Sequence, residues 1–207
     1  SKSLTHIGHS GKMLFMKRFL ILLILIFTLQ TPSQADDIRD FQIEGMSIGD
    51  SLLDYMSEEE IKKNEIIDVY KDNKFILSLN NKSSENYDEI TIAYKSKDKK
   101  YKIYGMSGII DFGNDIKGCY KKQKEIEESL TSLFDKLGRK HWGVLKLNVE
   151  GDGSTYKPIT YDIDDGGRLS NACYHYADDP QIDHLKMSLY SKEYRNYISF
   201  EAVEDKN

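Results

Sequence analysis

The sequence predicts an α+β domain, with helices packed on one face of a curved antiparallel sheet. Three observations predict it. One long run, Asn114 to Leu137, repeats its apolar residues at spacings of three and four. Much of the remaining chain alternates apolar and polar residues, the period of a half-buried strand. The connections between alternating runs are short and rich in Gly, Asp and Ser, and no repeated βαβ unit is present.

In chain order, Ser1 to Ala35 reads as an address and not as part of the fold. Lys17-Arg18 precedes the apolar run Phe19 to Leu29, and small residues stand at Ser33 and Ala35. That is the order of a secretory signal peptide, with cleavage after Ala35. A helix of this run spans about 16 Å, roughly half a hydrocarbon core, too short for a stable membrane span. Ser1 to Phe15 is read as upstream sequence, Met16 being the natural start of the peptide. An uncleaved leader anchoring the chain is the alternative. The remaining residues, 36–207, form a single domain on this reading.

Asp36 to Glu44 alternates weakly, as a first strand or an arm. Ser47 or Asp50 caps a short helix carrying Leu52, Leu53 and Met56, and Ser57 with Glu60 forms a capping box that opens a second. Phe75, Leu77 and Leu79 alternate next. Ile90, Ile92 and Tyr94 then pair through a turn at Ser96 to Lys99 with Tyr101 and Ile103, and Gly105, Gly108 and Gly113 predict bends or bulges. In the long helix Asp115 caps the start, Gly138 the end, and Cys119 falls on the apolar stripe. Strands follow at Leu145 to Val149, Ile159 to Ile163, Leu169 to Tyr176, Leu185 to Leu189 and Ile198 to Ala202, with a tight turn at Asp164-Asp165-Gly166-Gly167. An internal echo at a constant offset matches Asp88 to Ile92 with Asp183 to Met187 and Ile103 with Ile198. It offers an alternative architecture of two helix-plus-meander repeats.

Composition limits function. Of the 207 residues 39% are hydrophobic, 30% charged and 11% aromatic, which excludes a disordered chain and a multispanning membrane protein. The leader holds Lys2, Lys12, Lys17 and Arg18 and no acid, so removing these four cations takes the net charge from −5 to −9. An acidic body repels phosphate backbones, so nucleic acid is excluded as the expected partner. In an exported chain the two cysteines, Cys119 and Cys173, are expected to form a disulfide, and without a CxxC spacing they make a poor zinc site.

Phe41 to Tyr55, behind this leader, resembles uncharacterised small exported proteins of marine alphaproteobacteria. That implies export and no particular activity. More distantly, Gly45-Met46-Ser47 opening a helical hairpin ahead of a strand meander is similar to BamE-like and β-lactamase-inhibitor-like folds. These are envelope assembly factors and secreted protein inhibitors. The lipid-anchoring Cys of BamE-like proteins has no counterpart here.

Candidate chemistry is sparse. Asp162, Asp164 and Asp165, with Asp152 on a neighbouring turn, could gather oxygens for Ca²⁺, but the spacing is not an EF-hand loop and a plain hairpin turn is favoured. His141 and His175 lack a nearby nucleophile signature, and HExxH, Walker and GxGxxG patterns are absent. No cofactor is expected. The chain holds 14 tyrosines, and Tyr94, Tyr101, Tyr161, Tyr174 and Tyr176 are read as a flat binding surface on the open face of the sheet. The expectation is a periplasmic or secreted, non-catalytic binding domain for an envelope protein or ligand. A periplasmic hydrolase using Asp and His residues is the alternative.

Overall fold

Ser57 shows how locally the first part of the chain is determined. Its hydroxyl accepts from the Glu60 amide at 3.2 Å while the Glu60 carboxylate accepts from the Ser57 amide at 2.8 Å, the capping box read from sequence. The helix it opens, α1, covers only Glu58–Lys63. Upstream, a hairpin of β1 (Gln42–Ile43) and β2 (Met46–Ser47) turns through Glu44 and Gly45, both at positive φ. Gly45 therefore closes a tight β-turn and does not open a helical hairpin. Leu52–Asp54 is a single 3₁₀ turn capped by Ser51. The computed structural model that shows these elements describes residues 37–66, 69–80, 84–133, 138–147 and 153–201. The proposed leader, the end of the long helix at 134–137, Asp152 and Ala202 lie outside the described residues.

Among the described residues, nine strands form one antiparallel sheet. They are β3 (Glu65–Ile66), β4 (Phe75–Asn80), β5 (Glu89–Lys95), β6 (Gly105–Gly113), β7 (Gly138–His141), β8 (Leu145–Lys146), β9 (Thr155–Asp162), β10 (Arg168–His175) and β11 (Asp183–Tyr190). The order across the sheet is β3-β4-β5-β6-β11-β10-β9-β7, with β8 also on β9. Two meanders, β4-β5-β6 and β9-β10-β11, thus join through the central β6–β11 pair. The outer strand splits into β7 and β8 opposite Pro158, which has no N–H to offer a continuous ladder.

The architecture corrects the expected one. Among the described residues the fold is mostly antiparallel sheet with three α-helices, not a layer of helices on a sheet. The apolar runs near Leu52 and Ile61 are one turn and six residues long, too short for packed helices. Only α2 (Ile116–Leu133) is extended, lying against β10, β11 and β6. Asp115 caps it, accepting from the Gly118 amide at 2.9 Å. The repeat reading fails too. Asp88 to Ile92 and Asp183 to Met187 fall on β5 and β11, but Ile198 lies in a π-helical turn, Tyr197–Glu201, and not in a strand.

Gly105 and Gly108, expected to bend the chain, sit within the central strand β6, whereas Gly113, at φ +53°, ends it where the ladder to β11 shifts register. A Cβ at Gly108 would collide with the Tyr87 ring, and one at Gly105 with the Tyr194 ring. Each glycine is a bare patch of strand on which an aromatic ring rests, one on each face of the sheet.

The inner face carries the core. Ile90, Ile92, Tyr94, Met106, Ile159, Tyr161, Leu169 and Leu189 meet Leu130 of α2 and the N-terminal residues Ile38, Phe41, Ile43, Met46, Ile48, Leu52 and Ile61. Helix α2 is joined to the sheet in two further ways. The Gln123 amide donates to the Lys157 and Asn171 carbonyls at 2.6 and 2.9 Å, and Asn171 returns a bond to the Gln123 carbonyl at 3.0 Å. Cys119 and Cys173 form a disulfide with Cα atoms 6.0 Å apart, both residues fully buried.

Candidate binding site on the open sheet face

Strand parity settles which side chains reach the open face. Because Leu185, Met187 and Leu189 join the inner clusters, His184, Lys186, Ser188 and Tyr190 of β11 project outward. The ladders carry this phase across the sheet. Thr91, Ser107, Ser188, Ser170 and Thr160 stand in successive register on β5, β6, β11, β10 and β9. They make a row of hydroxyls across five strands. Ser107 and Ser188 hydrogen-bond each other at 2.9 Å, and Thr160 accepts from the Trp142 indole at 3.0 Å.

Aromatic rings rise on both sides of this row. Tyr156, Tyr174 and His184 stack in sequence, with ring centroids 5.5 and 4.9 Å apart. Tyr176 tilts onto His184 at 5.8 Å. At the opposite corner α3 (Lys192–Asn196) and the turn after it lay Tyr194 and Tyr197 over β4 and β5. Phe75 stands at the centre of that group, 4.9 to 5.5 Å from the Tyr197, Tyr194 and Tyr104 rings. The Tyr70 and Tyr194 hydroxyls share a 2.6 Å hydrogen bond.

Between the two aromatic groups lies an open concavity of about 350 Å³. Thr91, Ala93, Gly105, Ser107 and Lys186 form its floor, and Tyr70, Tyr190, Tyr194, Leu77 and Ile198 stand around it. The volume is at the lower end of the range for small-molecule sites. Lys186 is the one charged residue among the described residues of the lining. Burial raises the Tyr70, Tyr174 and Tyr194 hydroxyls above the ordinary phenol range, and Tyr190 adds to each shift. Burial thus keeps the Tyr70 and Tyr194 phenols of the lining in their neutral form.

The tyrosines expected to form the binding surface divide. Tyr174 and Tyr176 lie on the open face, half-buried. Tyr94, Tyr101 and Tyr161 are buried in the core, 1%, 7% and 2% exposed, because they share the phase of the inward isoleucines. Tyr94 donates to Glu65 at 2.5 Å and Tyr101 to Glu58 at 2.7 Å. Burial pushes Tyr161 up to about 12.

The remaining candidates are dispersed. His175 donates from Nδ1 to Asp183 at 2.8 Å, and the other Asp183 oxygen accepts from the Tyr176 amide at 2.8 Å. His141 pairs with Glu127 at 2.9 Å, beside Arg139. By register the two histidines are two strands and four residues apart, roughly 16 Å. No hydroxyl or thiol among the described residues hydrogen-bonds either imidazole, so neither has a nucleophile to activate. Asp162 is held by Arg168 at 2.8 Å and by Arg195 at 3.4 Å. Asp165 accepts from the Gly167 and Ile38 amides at 2.6 and 3.1 Å, and Asp164 stands in the exposed turn. Ion-pair and turn roles occupy Asp162 and Asp165. No group of three potential metal-binding side chains occurs among the described residues.

One titration belongs to this face. His184 donates from Nδ1 to the Ile182 carbonyl at 2.9 Å, and burial holds its pKa below the ordinary 6.5, with Lys186 acting in the same direction. Asp111 and Glu89 oppose the shift. As pH falls below 6.5 the unfolded chain takes up a proton that the folded chain refuses, so stability declines on acidification. Urea unfolding at pH 7 and pH 5.5 is expected to show this loss, and His184→Gln to reduce it. An unchanged pH slope in the variant contradicts the assignment.

No protein-family model, curated protein or solved structure matches the chain.

Proposed function

We propose that the chain is an exported binding module that holds its ligand on the open face of its sheet and performs no chemistry there. The concavity between Tyr70, Tyr190 and Tyr194 is the observation that carries this reading. It combines apolar walls with a few convergent polar groups, the usual make-up of a ligand site. It contains no pair of groups arranged as nucleophile and base. Export is supported by the leader pattern and by the buried disulfide, a bond that persists in oxidising compartments. No helix among the described residues is long and apolar enough to cross a membrane. Mass spectrometry of exported material is expected to find a mature N-terminus at Asp36, whereas an intact leader supports the anchored alternative.

The binding reading is tested by NMR of the ¹⁵N-labelled domain against a mixture of small aromatic and aliphatic compounds. Shifts are expected to cluster at Thr91, Ser107, Lys186, Tyr190 and Tyr194. Gly105→Ala, which drives a methyl group into the Tyr194 ring, is expected to abolish them. Shifts confined to the surroundings of His175, or none at all, overturn the reading.

A further inference from the structure

Six polar side chains line the concavity, and their hydrogen bonds separate them into two classes. Tyr70 and Tyr194 bond each other. Ser107 bonds Ser188, and Thr91 donates to Glu89 at 3.2 Å. Lys186 and Tyr190 are different. Among the described residues the Lys186 ammonium has no ion pair and the Tyr190 hydroxyl no hydrogen-bond partner. Both project from β11 on the open face, four residues apart in sequence.

The Tyr190 ring packs edge-on against the Tyr194 ring, centroids 5.6 Å apart, and both line the concavity. The carboxylates nearest Lys186 are not in the lining. Glu89 is two strands away across Ile109 and is engaged by Thr91, and Asp111 lies beside His184 at the next register position. Among the described residues the lining thus offers one cation without an ion pair and one phenol without a hydrogen bond, beside Tyr70, Tyr194, Leu77 and Ile198. An ammonium and a phenol both donate, so the group that satisfies them together is an acceptor of negative charge.

We infer that the concavity takes a small organic monocarboxylate with a flat apolar body, its carboxylate accepting from Lys186 and Tyr190 and its body lying among Tyr70, Tyr194, Leu77 and Ile198. This rests on the proposed binding reading and specifies the ligand. The volume admits one ring with a short acidic arm and leaves no room for a folded peptide. A cationic ligand is disfavoured by Lys186, and a purely apolar one leaves the two donors without partners.

Phenylacetate and its neutral isostere 2-phenylacetamide, titrated into the full domain and followed by NMR, test the inference. Phenylacetate is expected to bind about tenfold more tightly, as one charge-assisted hydrogen-bond pair in a partly buried site provides. Lys186→Met keeps the aliphatic stem and is expected to bring phenylacetate to the amide's affinity, abolishing the acid's preference. Tyr190→Phe is expected to reduce the acid's preference by a smaller factor. A thermal melt verifies that each variant remains folded. Equal affinity for acid and amide in the wild type, with shifts still centred on Lys186 and Tyr194, overturns the carboxylate assignment and leaves the binding reading standing. So does a preference for the acid that survives Lys186→Met. Silence of both compounds and of the wider mixture overturns both.

Discussion

Replacing Cys119 and Cys173 together with alanine is expected to lower the stability of the domain by about 4 kcal/mol. The cross-link joins residues 54 apart in sequence, and on the chain-entropy model a closed loop of that size costs the unfolded ensemble about 4 kcal/mol of freedom. For a domain of this length that corresponds to roughly 8–16 °C in Tm. The two sulfurs also lie within a packed cluster with Leu185, against which Ile110, Phe112 and Ile116 pack. Calorimetry of the wild type and the double variant measures the loss. Because both cysteines are fully buried, a reductant reaches the bond only when α2 lifts from β10. Reduction in native buffer should therefore be slow and should accelerate with urea. A variant that melts with the wild type, or a bond reduced as fast natively as in denaturant, contradicts this account.

Phe75→Ala is expected to cost about 3–5 kcal/mol, the usual consequence of removing a buried aromatic ring. Phe75 is 1% exposed and is the shared neighbour of Tyr104, Tyr194 and Tyr197. Its loss removes the support beneath α3 and the turn that follows, so the damage extends to the binding concavity, where Tyr194 is a wall. Urea unfolding is expected to show the lower stability, and near-ultraviolet circular dichroism a loss of fixed tyrosine signal. Phe75→Leu, which fills most of the space, should cost much less. A stable Phe75→Ala variant with the wild-type tyrosine signal would show that the aromatic group does not hold the C-terminal turn in place.

How much of this was legible in the sequence depends on whether the signal was local. The Ser57 capping box, the Asp115 cap of α2 and the turn at Asp164 to Gly167 all follow from short-range chemistry, and the pairing of the two cysteines from their even count in a chain read as exported. The proportions of the fold did not. An apolar run of a few residues reads alike in a helix and in a capped turn, so Leu52 and Ile61 suggested a helical layer where the chain makes little more than a turn. Gly105 and Gly108 read as breaks because the rings that cover them, Tyr194 and Tyr87, are distant in sequence. The binding face was partly available. Tyr94 alternates in phase with Ile90 and Ile92, and Tyr161 with Ile159, and that parity alone assigns both to the core. The same rule applied to Leu185, Met187 and Leu189 assigns Lys186 and Tyr190 to the outside. What no local pattern reveals is that Lys186 lacks an acid opposite it, because its neighbours come from β6 and β10.

The brevity of the outermost strands has a consequence for how the protein behaves when crowded. A broad antiparallel sheet with long bare margins would invite a second copy to extend its ladder, and then a third. Here one margin ends in the two-residue β3. The other is interrupted opposite Pro158 and carries Arg139, Lys140 and His141 on an exposed β7. A broken ladder and a lysine on the edge deny an incoming copy registry. The sheet is terminated at each side, which disfavours growth of the ladder from copy to copy.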